Sequence, residues 1–209
     1  MRKWAALATL VLVAMAVGRV ITETVPVNEL ATEPFVRTGE VGRPVALRYA
    51  DVEVTGVRAG PHLYGAEPIA AAGQFLLVDL RIVARSGSTS IFGISLIDRD
   101  ARRYSPMGRG STCPTNTTAP AGVPWYAVFC FDVPKSTLAG MVVELAKGDY
   151  QADGARQRRD DLARIELGID KTKAKEMAAS RTAWQGQYPG FDPMDTAPVK
   201  ELPGQEAAP

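Results

Sequence analysis

The stretch Trp125-Tyr126-Ala127-Val128-Phe129-Cys130-Phe131-Asp132-Val133 combines the densest aromatic and β-branched content of the chain with one of its two cysteines. Successive side chains of a strand point to opposite faces, so period two separates Trp125, Ala127, Phe129, Phe131 and Val133 from Tyr126, Val128, Cys130 and Asp132. The first set is wholly apolar and the second is mixed. The segment therefore reads as a central strand whose odd side faces a core, and other strands must cover that side.

Candidates lie on both sides of it. In Phe75-Leu76-Leu77-Val78-Asp79-Leu80-Arg81-Ile82-Val83-Ala84-Arg85 the even positions are all apolar, while Asp79, Arg81 and Arg85 share the other face, the pattern of a half-buried strand. Val45 to Tyr49 and Val52 to Arg58 are rich in β-branched residues and read as the first strands. Gly60-Pro61 punctuates them, and a turn-rich stretch runs to Gly73. Beyond the turn at Ser86-Gly87-Ser88, Phe92, Ile94 and Leu96 alternate with Gly93, Ser95 and Ile97. Asp98-Arg99-Asp100-Ala101-Arg102 then connects to Arg103-Tyr104, without the glycine that would fix its turn type. Met141, Val143 and Leu145, and later Ile165, Leu167 and Ile169, supply two further strands. The sum is about seven strands over residues 45–170, which predicts an all-β fold, an antiparallel immunoglobulin-like β-sandwich.

Ser105 to Pro124 is a long run of Gly, Pro, Ser, Thr and Asn between strands. Such loops in a compact domain are functional or tied down. Cys113 lies in it. If Phe129 and Phe131 face the core, Cys130 faces away, and a Cys113–Cys130 disulfide would clamp the loop to the outside of its sheet, worth about 3 kcal/mol in the chain-entropy picture. Met107, Arg109, Pro114 and Pro120 then become candidate interaction residues on a fixed loop. Asn116-Thr117-Thr118 is an N-glycosylation acceptor sequence.

The ends read differently. Arg2 and Lys3 precede an uncharged run from Trp4 to Gly18, followed by Arg19, Val20 and Ile21. As a helix, Trp4 to Ile21 would rise about 27 Å, close to the thickness of a bilayer's hydrocarbon core. Residues 1–21 therefore read as a single-pass membrane helix with the C-terminal domain outside the cell. The alternative is a cleaved signal of a secreted protein, because Ala14-Met15-Ala16 fits the small-x-small rule. Residues 22–44, with Pro26, Pro34 and Pro44, read as an extended spacer. At the other end Asp170 is placed to cap a short helix within residues 171–187, and the Pro-rich, acidic residues 188–209 read as a disordered tail.

Charge and residue types exclude several functions. Lys+Arg 24 against Asp+Glu 23 leaves a net charge of +1, too little field to gather nucleic acid. With His62 as the one histidine and the two cysteines assigned to a disulfide, no metal or other cofactor is expected. His62 reads as a surface residue; the alternative is a small-ligand binder or hydrolase whose pocket holds His62 and Tyr64. Ser95 lacks the second glycine of a nucleophile elbow, and Gly108-Arg109-Gly110-Ser111 lacks the lysine of a phosphate loop. Asp98 and Asp100 among Arg99, Arg102 and Arg103 read as a surface ion-pair cluster. Arg156-Gln157-Arg158-Arg159, beside Asp153, Asp160 and Asp161, reads as a solvated loop.

Phe75 to Val83 followed by a turn, Leu96-Ile97-Asp98 leading to Arg103-Tyr104, and Phe129-Cys130-Phe131-Asp132-Val133-Pro134 followed by Leu138 form a set that resembles a known family. It is similar to the exported, telokin-like (immunoprotective-antigen-like) immunoglobulin-fold domains of actinobacteria, over about residues 45 to 170. Arg85-Ser86 stands where that family has an asparagine-containing turn, and the loop with Cys113 is additional. The resemblance implies an antiparallel β-sandwich, an extracytoplasmic location and no catalytic site. The resulting expectation is a membrane-anchored, non-enzymatic binding module whose partner is another envelope or membrane protein.

Overall fold

The computed structural model describes residues 2–24, 33–64, 68–108, 113–148, 160–193 and 198. The chain divides into two compact units, Met1–Glu33 and Pro34–Pro209. The first contains the helix α1, Arg2–Thr24, on which Leu10, Leu12, Met15 and Val17 are exposed and Arg19 Nε donates to Glu23 Oε1 at 2.9 Å. Among the described residues no helix is long and apolar enough to cross a membrane.

In the second unit twelve strands are described. β1 (Phe35–Glu40), β2 (Val45–Ala46), β3 (Ala50–Tyr64) and β4 (Pro68–Ala84) come first. β5 (Thr89–Ile91), β6 (Gly93–Ile97), β7 (Arg103–Tyr104) and β8 (Thr117–Ala119) follow. The chain ends with β9 (Pro124–Val133), β10 (Val142–Ala146), β11 (Asp161–Glu166), the helix α2 (Lys171–Ala179) and β12 (Ala183–Gln185). One sheet has the order β1-β11-β10-β6-β7; the other has β12-β3-β4-β9, with β2 also on β3; β5 and β8 form a separate pair.

The alternation decides how the sheets meet. β4 and β9 run antiparallel from Gln74 opposite Val133 to Val83 opposite Pro124. Leu76, Val78, Leu80 and Ile82 of β4, with Ala127, Phe129 and Phe131 of β9, are fully buried in one core shared with Leu96 of β6, Val143 and Leu145 of β10, and Ala163 and Ile165 of β11. The β-sandwich is present, built on the predicted faces.

Four expectations change. The sheets are not purely antiparallel, since the edge strands β1 and β12 run parallel to β11 and β3. The spacer of residues 22–44 ends early, because Phe35–Glu40 is β1, whose Phe35 N–H donates to the Asp160 carbonyl at 3.0 Å. The turn-rich reading of Gly60 to Gly73 fails. β3 continues through Pro61 to Tyr64 and β4 begins at Pro68, and the register shift between Gly60 and His62 absorbs Pro61, which has no N–H to give. The helix within 171–187 stops at Ala179, although Asp170 does cap it, its carboxylate accepting from Lys173 N–H at 2.7 Å.

The remainder of that segment and the start of the 188–209 tail dock instead of standing free. Buried Gln74 donates from Nε2 to the Met177 carbonyl at 2.8 Å, fastening the end of α2. Trp184 of β12 donates from Nε1 to the Ala59 carbonyl at 2.9 Å and lies 4.9 Å from the Arg58 guanidinium. Tyr126 and Gly190 exchange backbone hydrogen bonds of 2.8 and 2.9 Å, and Phe191 meets Trp125 edge-on at 4.9 Å. Trp184 and Phe191 give this stretch something to pack, which an average over its prolines and acids conceals. The Arg156–Arg159 cluster and most of the tail beyond Pro193 lie outside the described residues.

Gly60 is what lets β12 approach. A Cβ there would lie 2.0 Å from the Thr182 carbonyl oxygen and 2.8 Å from Trp184 Cδ1. Gly60→Ala is therefore expected to lift β12 and cost about 1 to 3 kcal/mol in thermal unfolding. Trypsin cleavage after Arg181 should rise about tenfold, while unchanged cleavage would show that β12 does not depend on this approach.

Candidate functional site

β4 and β9 are buried on their outer face as well. Phe75 and Leu77 of β4, Val128 and Cys130 of β9, Leu63 and Cys113 form a second cluster, with Met107 and Trp184 packed on it. Cys113 and Cys130 are disulfide-bonded with Cα atoms 5.8 Å apart, on the side of the sheet away from Phe129 and Phe131, as predicted. The Met107 N–H adds a 2.8 Å hydrogen bond to the Cys130 carbonyl. The half-buried reading of β4 is thus corrected from Gln74 to Leu80, every residue of which is buried. Among the described residues the long loop is not irregular throughout: β8 pairs with β5, and Trp125 Nε1 donates to Thr117 Oγ1 at 2.7 Å.

The four loop candidates do not converge. Met107 is turned into the second cluster, Pro114 is half-buried beside Cys113, Pro120 is half-buried past the end of β8, and Arg109 lies outside the described residues. The loop's contribution is a wall. Ser105, Pro106 and Thr115 flank a groove of about 320 Å³ on the outer face of the other sheet, lined further by Phe92, Gly93, Ile94, Ser95, Arg103, Glu144 and Leu162.

Strand register sets the lining. One cross-strand row is Ser95, Glu144 and Arg164 and the next is Gly93, Ala146 and Leu162; of these, Gly93, Ser95, Glu144 and Leu162 line the groove. Gly93 must stay small, since a Cβ there would lie 1.8 Å from the Gly148 carbonyl oxygen. Glu144, 3 % exposed, accepts from Arg103 Nη2 at 2.8 Å through Oε2 and from Arg164 Nε at 2.8 Å and Nη2 through Oε1. Arg103 Nη1 also donates to Ser95 Oγ at 2.9 Å. Glu144 thereby joins two guanidiniums from separate strands on the outer face of the sheet.

Arg103 is presented by the β6–β7 turn, and Asp98 holds that turn. Its carboxylate accepts from the N–H groups of Asp100 and Arg102 at 2.9 and 3.0 Å, from Arg102 Nε at 2.8 Å and from the Tyr104 hydroxyl at 2.8 Å. Ala101 takes φ +60°, the left-handed conformation in which a glycine was missed from the sequence. Burial alone would push the Asp98 carboxyl up, but these donors hold it below the usual carboxylate range. The predicted surface ion-pair cluster is corrected accordingly: Asp98 is buried, and Arg103 leaves the group for Glu144. On the opposite sheet burial pushes Asp79 up, against the pull of Arg58, whose Nε donates to it at 3.0 Å.

His62 sits within β3 between Ala70 of β4 and Ala183 of β12, and its buried Nδ1 has no hydrogen-bond partner among the described residues. Tyr64 ends the same strand, so the two lie in a ladder and not across a described pocket. Among the described residues no group of three or more His, Cys, Asp or Glu side chains is placed to hold a metal ion. The sequence missed the Arg103–Glu144–Arg164 set. Its one available signal was a charge at outward positions of separate strands, which become neighbours only when the order β11-β10-β6-β7 is known.

No protein-family model and no curated protein matches the chain. Among solved structures it is similar to the yjhA protein of Bacillus subtilis, with 15 % identity, a TM-score of 0.45, and 61 % of this chain and 99 % of that one covered. It is similar also to MPT63, a secreted protein of Mycobacterium tuberculosis, with 17 % identity, a TM-score of 0.44, and 64 % and 97 % covered. A third is the putative lipoprotein ycdA of B. subtilis, with 16 % identity, a TM-score of 0.42, and 65 % and 41 % covered.

Asp98 makes the site pH-dependent with a definite sign. A carboxyl held low in the folded state adds stability above its unfolded value of about 3.9 and loses it as pH falls through the folded value. Asp98→Asn should cost about 1 to 3 kcal/mol at neutral pH, a deficit that narrows below pH ~4 in denaturant unfolding; a deficit constant to pH ~2 would contradict the assignment. Replacing Cys113 and Cys130 together with alanine should cost about 3 kcal/mol by the same measurement, and a loss under about 1 would show that the bridge constrains little.

Proposed function

We propose that the chain is an extracytoplasmic, non-enzymatic binding module of the cell envelope, with residues 1–21 serving as its membrane anchor. The observation that carries the reading is the groove on the outer sheet face, walled by a loop that a disulfide and the Met107–Cys130 hydrogen bond hold in place. A rigid sandwich presenting a fixed loop is the usual arrangement for recognition. Export is supported by the engagement of both cysteines in a buried bridge, which persists in oxidising compartments, and by the basic pair followed by the uncharged run at the N-terminus. A hydrolytic role draws no support from His62, which lies in a strand ladder with no partner among the described residues to orient its Nδ1.

The partner on this reading is another envelope or membrane protein. A photoreactive side chain placed at Phe92, on the groove rim, is expected to crosslink a discrete partner in intact cells about fivefold more than one placed at Lys175 on exposed α2. Equal labelling from both positions, or none from Phe92, would overturn the reading.

A further inference from the structure

We propose that the hollow between the β6–β7 turn and the start of α2 binds a phosphate monoester, its phosphate held by Arg99, Lys171 and the Ser136 hydroxyl. None of its residues lines the groove on the outer sheet face, so the inference adds a second site and does not rest on the first.

Three segments of the chain meet there. The hollow, about 470 Å³, takes Asp98, Arg99, Asp100 and Arg102 from the turn, Ser136 from the 3₁₀ turn Lys135–Thr137, and Lys171 from the first position of α2. Its two acids are already answered. Arg102 donates from Nε to Asp98 at 2.8 Å and from Nη2 to Asp100 at 2.7 Å, and Asp98 also receives two backbone N–H groups and the Tyr104 hydroxyl. Arg99 and Lys171 are exposed and have no acidic partner among the described residues. Asp170, next to Lys171 in the chain, turns its carboxylate to the Lys173 N–H and lines a different hollow. Three cations thus face two acids, and the two left without a counter-charge come from different elements.

Arg99 is in place before any ligand arrives. Asp98 fixes the turn that carries it, through the N–H groups of Asp100 and Arg102. A Cβ at Gly140 would lie 3.0 Å from Cζ and Nη2 of Arg99, and Gly140 takes φ +71°, so the guanidinium rests on a backbone position that only glycine suits. Seating the side chain in advance lowers the ordering cost of binding. One guanidinium fork satisfies a carboxylate, whereas a tetrahedral monoester phosphate has three terminal oxygens and uses donors from three directions. Ser136 Oγ has no hydrogen-bond partner among the described residues, while the Thr137 hydroxyl donates to the Pro134 carbonyl at 2.9 Å. The hollow is larger than a phosphate alone and leaves room for the esterified body. The same chemistry is offered by a lipid head group and by a free phosphate ester.

Isothermal titration of the full chain in phosphatidylcholine nanodiscs, with empty nanodiscs as reference, uses two probes that share one head group. Glycerol 3-phosphate is expected to bind saturably and at least about tenfold more tightly than glycerol. Tighter binding of dihexanoyl phosphatidic acid identifies a lipid as the natural source, and equal or weaker binding a free ester; either supports the site. Arg99→Gln and Lys171→Gln, at exposed positions that no described ion pair uses, should each weaken glycerol 3-phosphate about tenfold, and Ser136→Ala about threefold. Lys175→Gln, exposed on the same helix and outside the hollow, should leave binding unchanged. No saturable binding of either phosphate, equal affinity for glycerol 3-phosphate and glycerol, a double Arg99→Gln, Lys171→Gln variant within about twofold of wild type, or an equal loss from Lys175→Gln overturns the proposal. The binding-module reading is tested separately, by crosslinking from Phe92, and stands or falls on that result.

Discussion

The pairing of β4 with β9 is the constraint on which the remaining structure depends. A shift of one residue would turn Asp79 and Arg81 into the core and expel Leu76, Val78 and Leu80, so the register is fixed by burial alone. Because these strands are apolar on their outer face too, at Phe75, Leu77, Val128 and Cys130, a single sandwich interface cannot satisfy them. The loop pinned through Cys113 and the segment carrying Trp184 cover that face. Two features that look peripheral in sequence are thereby required by the central strands.

The buried charges follow a common rule. Asp79, Asp98 and Glu144 are each almost fully buried, and each is met by at least one arginine: Arg58, Arg102, and the pair Arg103 and Arg164. Such groups add little net stability against an apolar replacement, but losing one partner leaves a charge without compensation. Their effect here is positional. Asp98 fixes the turn that carries Arg103, and Glu144 fixes the rotamer of Arg103 beside the groove. The same polar contacts that hold the outer sheet face therefore shape the site on it.

What was legible in the sequence was what depends on local alternation. The core faces of β4 and β9, the outward direction of Cys130, the cap at Asp170 and the sandwich itself all follow from period two or from one capping residue. What was hidden depends on non-local pairing. β1 and β12 are short, lack a clear alternation and are strands because β11 and β3 offer them an edge; Gly60-Pro61 looks like a break until a register shift accommodates it. The groove was invisible for the same reason, since Ser95, Glu144 and Arg164 lie far apart in sequence and meet only through strand order. Met107 and Pro114 are sequence neighbours of the wall, but the wall itself is made by Ser105, Pro106 and Thr115.

The central claim, that β4 and β9 are sealed on both faces, is tested most directly by native-state hydrogen exchange resolved by residue. The account predicts that the amides of Leu76 to Leu80 and Ala127 to Phe131 exchange slowest in the domain and only through global opening, with β1 and β12 exchanging at least about a hundredfold faster through local opening. Exchange of the β4 and β9 amides at rates as fast as those of the edge strands would contradict it.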